Sequence, residues 1–276
     1  MSRANPQFST PDGPVPGWQW QTTPQGQPYL TCELLAPWPH GFFTQQFAPQ
    51  MPTDLAPILG GSSQRAYRLK QVHGPIVFTP QEIEAFKGEG FPDGDGLVTV
   101  EPGASVWVAS ADCTPVLVGD RTTGQVAAIH SGWRGTAQGA TGAAVARLLA
   151  QGSQLQDLVF ALGPAIAGEV YQVTTQVGAQ VAASLQACQG LTGEEAIALL
   201  QGQPDPPLLN DPQPGRIRLD VRQMIRRQLI DLGVEEKGVA IAPCCTYQQP
   251  DYFFSYRRTH AKNVQWSGIL SIAPRG

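Results

Sequence analysis

The sequence lacks any stretch of about 18 uninterrupted apolar residues, the length a bilayer-spanning helix needs, which excludes a helical membrane protein. It also lacks the apolar core of a secretory signal. Its first residues, MSRANPQFSTPDGPVPG, are polar and rich in proline and glycine, so a cytoplasmic protein with a flexible N-terminal tail is expected. Charge is sparse: Asp, Glu, Lys and Arg make up 14% of the chain and the net charge is −4. Basic residues gather no more densely than Arg216–Arg218, Arg222–Arg227 or Arg257–Arg258, which leaves no electrostatic footprint for nucleic acid. A small-molecule partner is expected instead. The five cysteines, Cys32, Cys113, Cys188, Cys244 and Cys245, are too few and odd in number for a disulfide framework. An important cysteine should therefore act as a thiolate.

What is present is a string of short apolar or alternating runs between turn signals. These are IVF at 76–78, GLVTV at 96–100, SVWVAS at 105–110, PVLVG at 115–119, QVAAIH at 125–130, LVFAL at 158–162, VAIAP at 239–243 and WSGILSI at 266–272. They read as strands. Helical character falls on 136–152, small and apolar throughout, on the amphipathic 219–233 with Gly233 as terminator, and on a pair within 174–201. The proline-rich stretch 201–215 reads as a surface loop. At 276 residues a single domain suffices, with the tail and first strand in 1–28 and one α+β domain over 29–276. Strands outnumber helices, so stacked mixed β-sheets flanked by helices, a four-layer α/β/β/α sandwich, are expected. A monomer is compatible with all of this.

The chemistry concentrates between residues 70 and 135. In PVLVGDRTTGQVAAIH the turn residues Asp120 to Gly124 separate two β-type runs, and a hairpin there places Cys113 and His130 on neighbouring strands. A thiolate and an imidazole that meet across a hairpin, joined by a second histidine, form the ligand set of a catalytic zinc centre. His73 in KQVHG is the best third donor, with His40 and His260 open as alternatives. A Cys-His hydrolase dyad competes for the same residues, and a buried structural cysteine is the bland reading.

SGWRG at 131–135 opens a helical stretch. Its Gly132 and Gly135 would allow an anion to approach backbone N–H groups, and Arg134 could add a charge-assisted contact. Gln71 and Arg257 join the glycines as candidates for binding substrate or phosphate. Asp112 is the nearest carboxylate for proton transfer, with Asp95 and Glu169 next in line. DGDGLVT at 93–99 reads as a turn, because the spacing of a calcium loop is missing.

Taken together, HGFFT, KQVHG, DGDGLVT, ADCTPVLVGD, AAIHSGWRGTAQGA, ALGPAI, CCTY and FFSYRR resemble the ordered motifs of the laccase-domain proteins, also called the multicopper polyphenol oxidase or purine nucleoside phosphorylase family. The resemblance runs from about residue 29 to 272. It implies two stacked sheets flanked by helices and a zinc held by His73, Cys113 and His130. It also implies phosphorolysis of adenosine, inosine and methylthioadenosine to base plus ribose 1-phosphate, with adenosine deamination. Copper-dependent phenol oxidation and editing of peptidoglycan composition are further activities credited to members. Gln45 stands where many members carry Arg, THAKNVQ replaces a Thr-Gly-Arg segment, and a GGVS stretch is absent. A four-copper oxidase needs about ten histidines in His-x-His pairs. With four histidines and no such pair, this chain cannot assemble that centre, although copper could replace zinc at a mononuclear one.

Overall fold

A computed structural model describes residues 16–274; residues 1–15 of the expected tail lie outside them. In chain order the strands are β1 Trp18–Thr22, β2 Pro28–Cys32, β3 His40–Phe43, β4 Ala66–Tyr67, β5 Val77–Phe78, β6 Gly96–Thr99, β7 Ser105–Ser110 and β8 Thr114–Asp120. They continue with β9 Val126–Ser131, β10 Leu158–Leu162, β11 Gln172–Thr174, β12 Leu208–Asn210, β13 Arg216–Leu219, β14 Val239–Ile241 and β15 Gln265–Leu270. One six-stranded sheet runs β1-β2-β3-β15-β7-β4 and a second runs β14-β10-β8-β9-β6-β5. Most neighbours are antiparallel, while β4 with β7, β5 with β6 and β10 with β14 are parallel, so the topology is mixed as expected. β11, β13 and β12 form a small third sheet.

The period-two alternation of side chains along a strand explains how the layers stack. On β8, Leu117 joins Val106, Val108, Leu97 and Ile269 in the core between the two large sheets. Its neighbours Val116 and Val118 point the other way, into the core shared with the helices. The helices are α1 Pro52–Leu55, α2 Pro80–Glu84, α3 Trp133–Ala137, α4 Ala140–Ala150, α5 Thr175–Ala182, α6 Gly193–Gln201, α7 Val221–Asp231 and α8 Tyr256–Thr259. α4 and α7 supply Ala144, Leu148, Met224 and Leu229 to that core. The outer face of the first sheet buries Phe43, Trp107 and Trp266 under Leu55 and Leu59, which completes the helix, sheet, sheet, helix order. Among the described residues, no helix is long and apolar enough to cross a membrane.

Two expectations need correction. The helix read over 136–152 is broken into α3 and α4, because Gly139 takes a left-handed φ of +73°. The 201–215 loop contains β12, which pairs with β13 and buries Leu208 completely.

The topology fixes where the chain changes sheets. Residues 68–76 carry it from β4 in the first sheet to β5 in the second, and residues 111–113 carry it from β7 to β8. Both crossings open on the cleft that the C-terminal end of β9 also reaches.

Candidate metal centre

The two crossings and the end of β9 deliver the three predicted donors. In the β8–β9 hairpin Pro115, not Cys113, is directly opposite His130, so the cysteine sits diagonally, two residues beyond that pair. His73 lies on the first crossing and Asp112 precedes Cys113 on the second, with φ of +64° and +94° respectively. Left-handed backbone at a non-glycine residue costs free energy, and it re-aims the chain within one residue. The donor atoms of His73, Cys113 and His130 all lie within 4.8 Å of one another, with the two imidazoles edge to face. His73 is exposed, Cys113 half-buried and His130 buried, which leaves one side of the group open.

Asp95, fully buried at the start of β6, organises the group. Its Oδ1 accepts from Nδ1 of His130 at 2.8 Å and from the backbone N–H of His73 at 2.9 Å. Its Oδ2 accepts from the N–H groups of Val72 at 3.0 Å and Gly74 at 2.7 Å. One carboxylate thus shapes the loop that presents His73 and fixes the His130 ring with Nε2 left for a ligand. Burial pushes the Asp95 carboxyl up, but the bonds from His130 and from the backbone N–H groups outweigh it, so the group is held below the usual carboxylate range.

The electrostatics favour a thiolate. Burial raises the Cys113 thiol, yet the His130 and His73 imidazoles beside it bring it down to about 6. Burial likewise disfavours charge on His130, while Cys113 and Asp95 together raise that imidazole to about 9. The two titrate as a coupled pair in which thiolate and imidazolium stabilise each other. A thiolate with two imidazoles and an open side could hold a metal ion, and that soft donor set suits zinc or copper better than magnesium or calcium. Gly132 makes room for the sulfur: a Cβ there would stand 2.5 Å from Cys113 Sγ and 3.5 Å from His73 Cδ2.

The donors line a cleft of about 540 Å³ whose other walls come from residues 68–71, 109–111 and 261–264, with Tyr256 and Trp266. Gln71 is in this wall, but its amide is committed: Nε2 donates to Ala109 O and Oε1 accepts from Ala109 N, both at 2.7 Å. Asp112, Arg134, Gly132, Gly135, Arg257 and Glu169 do not line it. Asp112 accepts from Thr246 Oγ1 at 2.7 Å and from the backbone N–H of Arg257 at 2.6 Å. Arg257 itself donates to Gln172 O and covers the Tyr171 ring. Arg134 is exposed and lies over Trp133. Gly135 packs in the buried turn into the five-residue α3, where a Cβ would meet Ala140 Cβ at 3.5 Å. His40 is a structural residue, since Nε2 accepts from Cys32 N and Nδ1 donates to Trp38 O, each at 2.8 Å. His260 stands at the end of α8 against Tyr256. Sequence reasoning missed Arg68 and Lys262, which line the cleft because β4 and β15 flank β7 on either side.

The chain matches the family model described as multi-copper polyphenol oxidoreductase laccase over residues 52–270. A Synechocystis protein named purine nucleoside phosphorylase is 50% identical over 258 residues, covering 92% of this chain and 97% of that one. A Deinococcus radiodurans protein of the same name is 31% identical, covering 80% and 76%. Among solved structures, YlmD from Geobacillus stearothermophilus superposes with a TM-score of 0.74 at 25% identity, covering 91% of this chain and 98% of that chain. The Bacillus licheniformis protein YfiH, at 23% identity and a TM-score of 0.72 over 88% and 96%, shares the fold. On this sequence and fold agreement, the chain belongs to the multi-copper polyphenol oxidoreductase laccase family.

Proposed function

We propose that this protein is a metal-dependent purine nucleoside phosphorylase that cleaves adenosine, inosine or methylthioadenosine to the free base and ribose 1-phosphate. One observation carries the reading: the cleft beside His73, Cys113 and His130 is lined by Arg68, Lys70 and Lys262 and by no carboxylate. In a protein of net charge −4, a cation-lined cleft favours an anionic co-substrate. Its apolar walls, among them Leu69, Val264 and Tyr256, suit the flat face of a purine.

His73, Cys113 and His130 would hold a zinc-class ion, which when bound supplies Lewis acidity at the cleft. Asp95 accepts from Nδ1 of His130, which turns the other ring nitrogen toward Cys113, and it holds the His73 loop in place. Asp112 acts from behind the centre, where its bonds to Thr246 and Arg257 fix the crossing that presents Cys113. Adenosine deamination at the same centre is the secondary activity in this reading. It needs a carboxylate to shuttle a proton, and Asp95, which is bonded to His130, is buried with both oxygens engaged. The test is to incubate purified protein with inosine and phosphate. Phosphate-dependent formation of hypoxanthine and ribose 1-phosphate, abolished by a chelator, supports the proposal, and phosphate-independent turnover or none overturns it.

A second reading rests on the order Cys113, His130, Asp95, which also matches a nucleophile, a base and an orienting carboxylate. A cysteine hydrolase would survive chelation and be inactivated by thiol alkylation.

A further inference from the structure

Arg68 is a half-buried cation without an anionic partner. Its guanidinium lies 3.9 Å from the Phe91 ring centroid and 5.8 Å from that of Trp266, so aromatic rings hold it in place. Among the described residues no carboxylate or carbonyl accepts from it; the same holds for Lys262, which faces the same cleft from the other side of β7. Lys70, the third cation of the wall, is paired with Asp93 at 2.9 Å. Burial also lowers the Arg68 guanidinium from its ordinary value, the cost an anionic partner would remove.

The placement of these two residues follows from strand order. β4 runs parallel to β7 and β15 antiparallel to it. The chain leaving β4 and the chain entering β15 therefore flank the end of β7 that leads to Cys113. We propose that Arg68 and Lys262 form the phosphate subsite of the cleft, the guanidinium edge binding two oxygens and the ammonium a third. The SGWRG turn does not serve this purpose, since Arg134 and Gly135 lie off the cleft and Gly132 makes room for the Cys113 sulfur. A planar fork held against the Phe91 ring is pre-organised for two oxygens at once, and a lysine adds a mobile point charge.

The inference rests on the phosphorylase reading for its chemistry. A phosphate oxygen bonds to ribose C1′ as the C1′–N9 bond breaks; its electron pair leaves on the purine, which takes up the proton released by the phosphate. The subsite holds the attacking oxyanion and adds no redox partner.

The test compares wild type with Arg68→Gln, Arg68→Lys and Lys262→Gln in two assays. One is the steady-state dependence on phosphate and on inosine; the other is direct calorimetric titration with inorganic phosphate. Loss of one charge-assisted contact should raise the phosphate KM and Kd about tenfold or more. The inosine KM should stay within about threefold in the same variants. Arg68→Lys, which keeps the charge and loses the fork, should fall between wild type and Arg68→Gln. Unchanged phosphate affinity in folded Arg68→Gln and Lys262→Gln overturns the subsite. A wild-type protein that makes no ribose 1-phosphate overturns the phosphorylase reading instead, and the titration with phosphate alone still decides the subsite.

Discussion

Asp95 and His130 are joined twice: the Asp95 carboxylate accepts from Nδ1 of the ring at 2.8 Å, and the Asp95 carbonyl accepts from the His130 backbone N–H at 2.7 Å. The ring and its orienting group are thus fixed by the same strand pairing, β6 on β9. Asp95→Asn keeps the size but replaces one acceptor oxygen with an NH2 group that faces two N–H donors. Each stranded buried donor costs about 1–3 kcal/mol, and loss of an outer carboxylate lowers metal affinity roughly 10–100-fold. Urea unfolding and chelator competition would read the two effects separately. In wild type the Asp95 contribution is present above the unfolded carboxylate pKa of about 4 and is lost as pH falls through the lower folded value.

Gly132 gives a steric prediction. Its φ of −80° is open to any residue, so backbone conformation does not demand glycine there. The demand comes from Cys113, whose sulfur would lie 2.5 Å from an added Cβ. Gly132→Ala should therefore displace the thiolate and lose most of the bound metal while the far-ultraviolet circular dichroism stays native. Full metal occupancy in this variant would show that the sulfur can shift without cost.

The neighbourhood of Cys113 and His130 was legible because its cause is local. Asp120 caps the hairpin turn through bonds from the N–H groups of Thr122 and Thr123, and Gly124 supplies a φ of +75°. A turn written in five residues sets the register of everything beyond it. His73 is different: it reaches the site because Asp95, 22 residues further on, binds its N–H, so the sequence named it as the best third donor but left His40 and His260 open beside it. The G-x-x-G of SGWRG reads like an anion loop, since spacing alone cannot distinguish room for a phosphate from room for a sulfur. Arg68 and Lys262 lie 194 positions apart and meet one cleft through strands that pair with β7, so no local pattern could reveal them. Gly139 breaks a helix among several glycines that do not, because it alone of those from 132 to 142 takes a left-handed φ.

The Cys113 thiol gives a pH prediction for the metal-free protein. Burial opposes ionisation, but the adjacent imidazoles bring the thiol down to about 6, against roughly 8.5 for a free cysteine. Because the depressed pKa favours the thiolate, alkylation by iodoacetamide should rise as pH passes upward through about 6 and level off above it. Added zinc should protect the sulfur. In His130→Ala the midpoint should move up, since the imidazolium that stabilises the thiolate is gone.

The two buried histidines should respond in opposite ways to removal. His40 spends both ring nitrogens on the backbone, accepting from Cys32 N and donating to Trp38 O, and burial lowers its pKa so that it stays neutral in that role. His40→Ala strands a buried N–H and opens a cavity between β2 and β3, a loss of roughly 2–4 kcal/mol. Its metal content should remain stoichiometric. His130 sits at the end of β9 with one nitrogen on Asp95 and the other turned to Cys113 and His73, the two residues that share its donor cluster. His130→Ala should abolish bound metal and nucleoside turnover while the protein still unfolds cooperatively, because the fold is assembled around the sheets and not around the ion. Elemental analysis paired with urea unfolding distinguishes the two. If His130→Ala fails to fold, the ion site is structural and its open side is not a place for chemistry; if His40→Ala loses its metal, that histidine has a path to the centre which its bonds to the backbone exclude.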